Sequence, residues 1–376
     1  MQFAKNISIK ILATIIIVSL LTACETEKFG HSMTKSTPTI VRTSIAPTFK
    51  TTETSSTSSI PEVKTLPPIL LITPIANVST EAKFTINPTL CKDNQGPICT
   101  ELRLGDNYFT TSFPEKGYLY SCNDKNPDAP GSRENKITWI DFAGKTWNFL
   151  GKLWLPETTS SFDQGSYTEL LVEQTREITI NNLPVDGKIG DWPMSAYPVL
   201  TEIDGNPGIP ASQKSNLSYP SNPEKEATPT CVSLGAIGVT NNGVVLYNAA
   251  DARGEDAVAR EIVDVFGGHP AGTNYHYHFI PERLDNEPLG DGHSGIVGYI
   301  NDGFPIYGYK GENGIEMSND DLDLCHGHDH GSLGYHYHAT IEYPYTIGCY
   351  KGTPSSVDSN QIQPRGPSNR PPRMRP

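Results

Sequence analysis

The segment Tyr275-His276-Tyr277-His278 recurs 60 residues later as Tyr335-His336-Tyr337-His338, and this repetition restricts the available folds more than length or composition does. On an extended strand successive side chains point to opposite faces, so each copy sets two imidazoles on one side and two phenol rings on the other. Gly268-His269 stands five residues before the first copy and Gly327-His328 six before the second, with Phe266 and Cys325 three residues ahead of those histidines. Self-similarity at this period predicts two matching supersecondary units packed about a local pseudo-twofold. Such packing is expected to bring the two His-x-His strands together.

Nine of the ten histidines fall between His269 and His338. Alternate residues on a strand lie about 6.5–7 Å apart on one face, a span from which two imidazoles can converge on one ion with bonds of about 2 Å. The candidate ligands are His269, His276, His278, His293, His328, His336 and His338. An all-nitrogen set suits a transition metal, with copper or zinc favoured, rather than magnesium or calcium. His326 and His330 flank His328 and are set aside as exposed loop residues. In His326-Gly327-His328-Asp329-His330 the aspartate comes one residue too early for the His-x-His-x-Asp-His pattern of metallo-β-lactamases, and Ser294 has no nucleophile elbow around it. Asp302, Asp320, Asp321 and Asp323 read as solvated turn residues, with Asp302 or one of the spare histidines, His326 and His330, as the candidate acid/base if the chain is an enzyme.

The N-terminus reads as a processing signal. Lys5 and Lys10 precede the apolar stretch Ile11 to Leu21, which is too short to span a bilayer. Leu21-Thr22-Ala23-Cys24 has the form of a bacterial lipobox, which makes residues 1–23 a lipoprotein signal peptide and Cys24 the lipid anchor. Residues 24–88, rich in Thr, Ser and Pro, read as a disordered tether interrupted by the apolar run Ile69 to Ile75. The globular part is expected over 89–352, with a β-rich portion at 89–230 and a His-rich core at 231–352, followed by a disordered Pro/Arg tail at 353–376. These signals imply an extracytoplasmic protein of the bacterial envelope, tethered by lipid. The net charge of -13 argues against a nucleic-acid partner.

Six cysteines remain beyond Cys24: Cys91, Cys99, Cys122, Cys231, Cys325 and Cys349. In an exported chain an even number reads as disulfides, and spacing alone leaves their connectivity open. The fold class is mainly β (or α+β) with long loops, disulfide-stapled, with internally duplicated His-x-His units in the C-terminal half. Strands are expected at Tyr167 to Val172, Glu177 to Ile180, Val244 to Tyr247, Gly295 to Ile300 and Phe304 to Gly308. Val258, Ile262 and Val265 recur at helical spacing between Glu255-Asp256 and Gly267, which predicts one helix. Residues 201–230 read as a polar connection.

These motifs resemble the YHYH-domain proteins of bacterial envelopes. The resemblance is carried by Gly268-His269-Pro270, both tetrapeptides, His293 to Tyr299, Asp302 to Gly308, Leu322 to Cys325, Gly327-His328 and Pro344 to Cys349, and it extends weakly upstream to about residue 117. It implies a disulfide between Cys325 and Cys349. It also implies a lost bridge in the first half, where Phe266 and Glu282 or Arg283 stand at the cysteine positions. No activity follows from it. Three functions stay open: metal binding for buffering, delivery or structure; a metal-dependent hydrolase or oxidoreductase; and a metal-free adhesive surface domain.

Overall fold

Short strands closed by Asn-Gly and Asp-Gly turns set the architecture. The computed structural model describes residues 84–86, 88–91, 98–206 and 208–355. The signal segment, Cys24, most of the Thr/Ser/Pro stretch and the tail beyond residue 355 lie outside the described residues.

Three strands form a cover: β1 (Tyr167–Val172), β2 (Thr175–Ile180) and β3 (Ser215–Pro220), antiparallel in that order. The main sheet has eight. They are β4 (Ala236–Thr240), β5 (Val245–Tyr247), β6 (Gly268–Ala271), β7 (Asn274–Tyr277), β8 (Ile296–Ile300), β9 (Pro305–Tyr307), β10 (Gly327–His330) and β11 (Gly334–His338). Their order is β6-β7-β5-β4-β8-β9-β11-β10.

That order reads the same from either end. β4 and β8 pair antiparallel at the centre. On each side follow an antiparallel hairpin partner, a parallel His-x-His strand and an antiparallel Gly-His strand. The duplication therefore includes the hairpins β4–β5 and β8–β9, and the pseudo-twofold passes between β4 and β8. β7 and β11 do not meet; four strands separate them. The expected convergence of the two His-x-His strands fails because each unit completes its own half-sheet before the halves pair through their first strands.

One face of the sheet carries Leu246, Tyr275, Tyr277, Ile306, Tyr335 and Tyr337 into the main core, alongside Leu102, Trp147 and Trp154 from the first portion of the chain. The two portions thus share one core, and Cys122–Cys231 ties them covalently. On the other face Val239, Val245 and Tyr247 pack against Ile178, Ile180, Leu217 and Tyr219 of the cover. The remaining bridges are Cys91–Cys99 and Cys325–Cys349.

Two local expectations change. Ser215, Leu217 and Tyr219 alternate inward, making a strand within the supposed polar connection. The expected helix shrinks to one turn: α1 is Pro198–Ile203 and α2 is only Ala257–Arg260, capped by the Asp256 side chain on Ala259 N–H. Beyond it, Ile262 N–H donates to Asp204, the Val263 carbonyl accepts from Leu155 N–H, and Val265 N–H donates to the Leu155 carbonyl, which pull the chain out of helical geometry. Among the described residues no helix is long and apolar enough to cross a membrane.

Candidate metal centres

Cross-strand pairing and strand alternation build the first cluster. His269 on β6 stands directly opposite His276 on β7, and His278 follows two residues on, so the three imidazoles share a face. Their Nε2 atoms lie 2.9 Å (His269 to His276), 3.1 Å (His276 to His278) and 3.2 Å (His278 to His269) apart. The second cluster repeats the frame with His328 opposite His336. His328 Nε2 is 3.0 Å from His336 and 3.2 Å from His338. His293, from the segment preceding β8, adds a fourth nitrogen 3.2 Å from His336. Six of the seven rings are buried and His328 is half-buried. The seven candidate ligands thus form two groups, each able to hold a metal ion, not one shared site.

The outer ring nitrogens fix the protonation. His276 Nδ1 donates to the Asn274 carbonyl (3.1 Å) and His278 Nδ1 to that of Asn248. His336 Nδ1 donates to Gly334 (2.9 Å), His338 to Gly308 (2.7 Å) and His293 to Ser294 (2.7 Å). A carbonyl only accepts, so each of these five rings keeps its proton on Nδ1 and turns a bare Nε2 lone pair inward. Bare nitrogens about 3 Å apart repel unless a cation stands among them. Four nitrogens around a tetrahedral ion with bonds of about 2.0–2.1 Å are about 3.3–3.4 Å apart, within a few tenths of an ångström of these separations.

Burial favours the neutral form of His269, His276, His278, His328, His336 and His338. It drives His269, His276 and His338 well below the usual imidazole range, with neighbouring imidazoles adding to the shift. It lowers His278 to about 4 and His336 to about 3. Tyr247 stacks on His276 at 3.9 Å and Tyr307 packs on His336 at 4.4 Å.

Behind the sheet the phenols are anchored by carboxylates that the sequence reading left out or misread. Asp264 accepts from Tyr275 OH (2.7 Å) and from the N–H groups of Phe266 and Gly268. Asp323 does the same for Tyr335 OH, Cys325 N–H and Gly327 N–H. The tyrosine ring crosses the glycine to reach its carboxylate. A Cβ on Gly268 would sit 2.3 Å from the Tyr275 ring, and one on Gly327 2.5 Å from the Tyr335 hydroxyl. That is why each histidine of the Gly-His elements follows a glycine.

Residues 216–318 match the family model of the YHYH protein. No curated protein and no solved structure matches the chain. The YHYH match contains the first cluster and His293, while His328, His336 and His338 lie beyond it. The sheet symmetry sets those three in the same strand positions as the first cluster.

Other candidates have different roles. Asp302 is buried rather than solvated: on the phenol side it accepts from Tyr337 OH (2.6 Å) and Gly352 N–H (3.0 Å). Asp321 bonds Ser318 across a one-turn capping box. His330 lies at the rim of the second cluster, 3.1 Å from Glu312. Phe266 and Arg283 touch where the first half lacks a bridge, Arg283 donating to the Phe266 carbonyl (3.1 Å).

His326 is buried rather than exposed and pairs with the Thr340 hydroxyl at 2.9 Å, apart from both clusters. Burial lowers its pKa to about 3. The unfolded chain takes this proton near pH 6.5 and the folded chain only near 3. Its stabilisation is therefore complete above pH 6.5 and is lost as pH falls through that window. With φ of 73° at this position, asparagine is a tolerated replacement. The stability difference between wild type and His326→Asn is expected to change by up to about 1.4 kcal/mol per pH unit below 6.5, to the disadvantage of wild type. Urea melts at pH 7 and pH 5 check this, and an unchanged difference contradicts it.

Proposed function

We propose that this chain is a transition-metal-binding protein of the bacterial envelope, with two histidine centres per chain that hold copper or zinc for storage, delivery or structure. The observation that carries the reading is the set of Nε2 atoms turned on one another at about 3 Å, with five of the seven rings held by an Nδ1–H bonded to a carbonyl so that their Nε2 lone pairs are bare. Only a cation makes that arrangement favourable in both halves at once. At the second cluster a four-nitrogen shell leaves no open coordination position in the tetrahedral case, which there favours holding the ion over turning over a substrate. Three disulfides suit an oxidising compartment, and the lipobox at Leu21 to Cys24 supplies the tether. In this reading 1–23 is removed, 24–88 is the spacer, 89–352 the working domain and 353–376 a tail.

Metal analysis of the full chain exported by its host is expected to give two equivalents. His276→Ala is expected to remove one and His336→Ala the other, each with the fold retained by circular dichroism. Less than a tenth of an equivalent in wild type sinks the metal reading. Unfolding of both variants, with wild-type metal content near zero, would leave the histidines as core residues of a metal-free domain. Lipidation of Cys24 is tested by mass spectrometry of the membrane-extracted protein.

A further inference from the structure

The first cluster offers three imidazoles where the second offers four, and a carboxylate stands beside it. Glu261 Oε2 lies 3.2 Å from His269 Nε2 and 3.9 Å from His278 Nε2. The oxygen is buried and accepts no hydrogen bond. Its aim is set by the backbone. Lys152 Nζ donates to the Glu261 carbonyl at 2.6 Å and Ile262 N–H to Asp204 at 3.0 Å. These bonds hold residue 261 extended at the end of α2, with φ of -83° and ψ of 154°.

We propose that Glu261 is the fourth ligand of the first centre, giving a three-nitrogen, one-oxygen site beside the four-nitrogen second centre. The inference rests on the metal reading above. A single proton shared between Glu261 and His269 satisfies one acceptor and leaves the lone pairs of His276 and His278 facing each other at 3.1 Å. A divalent cation among the three imidazoles satisfies all four once Glu261 Oε2, now nearest His269 and His278, is drawn in toward it.

The duplicated frame supplies three ligands, and each half completes it differently. The repeat carries Glu261 onto Asp320, which is exposed in a one-turn helix and is not part of the second histidine group. There His293 takes the fourth place. A filled first centre carries one positive charge less than the second. Its carboxylate oxygen favours zinc or cupric copper over cuprous copper, whereas the imidazole set accepts either copper state.

Zinc titration of the full chain against a chromophoric chelator tests this. Glu261→Gln is expected to leave one equivalent at wild-type affinity and weaken the other by at least about tenfold to a hundredfold, the loss found when only a residue supporting a ligand is replaced. Two equivalents at wild-type affinity overturn the assignment and leave the metal reading standing; a wild type that binds no zinc overturns both. Should Glu261→Gln lose its fold, anomalous diffraction from the wild-type zinc form decides. Oε2 within about 2.0–2.2 Å of the ion supports the assignment, and a carboxylate turned away from the ion overturns it.

Discussion

Saturating zinc or copper is expected to raise the unfolding midpoint of the full chain by about 15–30 °C when both centres fill. A ligand present at about a thousand times its dissociation constant adds about 4 kcal/mol per site, and each kcal/mol moves a domain of this size by about 2–4 °C. The large value follows from the metal-free state. Folding gathers seven imidazoles into two buried groups, and at least five aim lone pairs at like neighbours. The unfolded chain has no such cost. Magnesium and calcium prefer oxygen donors and serve as the control, with no shift expected. Differential scanning calorimetry reads the result; a rise under 2 °C with both copper and zinc would count against any cation in these clusters. In the double variant His276→Ala, His336→Ala the metal response is expected to disappear, which ties the effect to these rings.

Asp264→Ala is expected to cost more than about 4 kcal/mol and to prevent folding at 37 °C, independently of metal. Asp264 is fully buried and accepts five hydrogen bonds, from the N–H groups of Gly190, Phe266 and Gly268, the Trp192 indole and the Tyr275 hydroxyl. Alanine strands all five donors. The corresponding Asp323→Ala is expected to cost about 2–3 kcal/mol, because that carboxylate serves Cys325, Gly327 and Tyr335 in a more exposed setting and the Cys325–Cys349 bridge holds the turn. Secreted yield and urea midpoints distinguish the two. Equal losses would mean that the symmetry of the frame, not the number of stranded donors, sets the cost.

The alternation of Tyr and His was legible because period two has one structural meaning: Tyr275 and Tyr277 had to enter one core if His276 and His278 shared the other face. Gly268 and Gly327 were visible as parts of the repeat, but their reason was not. It requires the ring of a cross-strand tyrosine lying over the glycine. Asp264 and Asp323 could have been found by carrying the repeat four or five residues upstream of the Gly-His elements. Glu261 could not, since its counterpart Asp320 plays no equivalent part. Its sequence surroundings read as a helix, and only the bonds to Lys152 and Asp204 turn it toward the imidazoles. Helical spacing at Val258, Ile262 and Val265 misled for the same reason: long-range bonds outweighed a weak local preference in a segment one turn long.

By itself the sequence determined that two like units exist, which face of each strand carries imidazole, and which histidines belong to the frame. These are local consequences of spacing, and strand geometry admits few alternatives. The tertiary structure decided that the units pair through β4 and β8, so that one expected site becomes two. It also decided what stands with each set of three imidazoles, His293 in one cluster and Glu261 beside the other. Which strands become neighbours depends on how two half-sheets bury their edges together, and no spacing within either half encodes that.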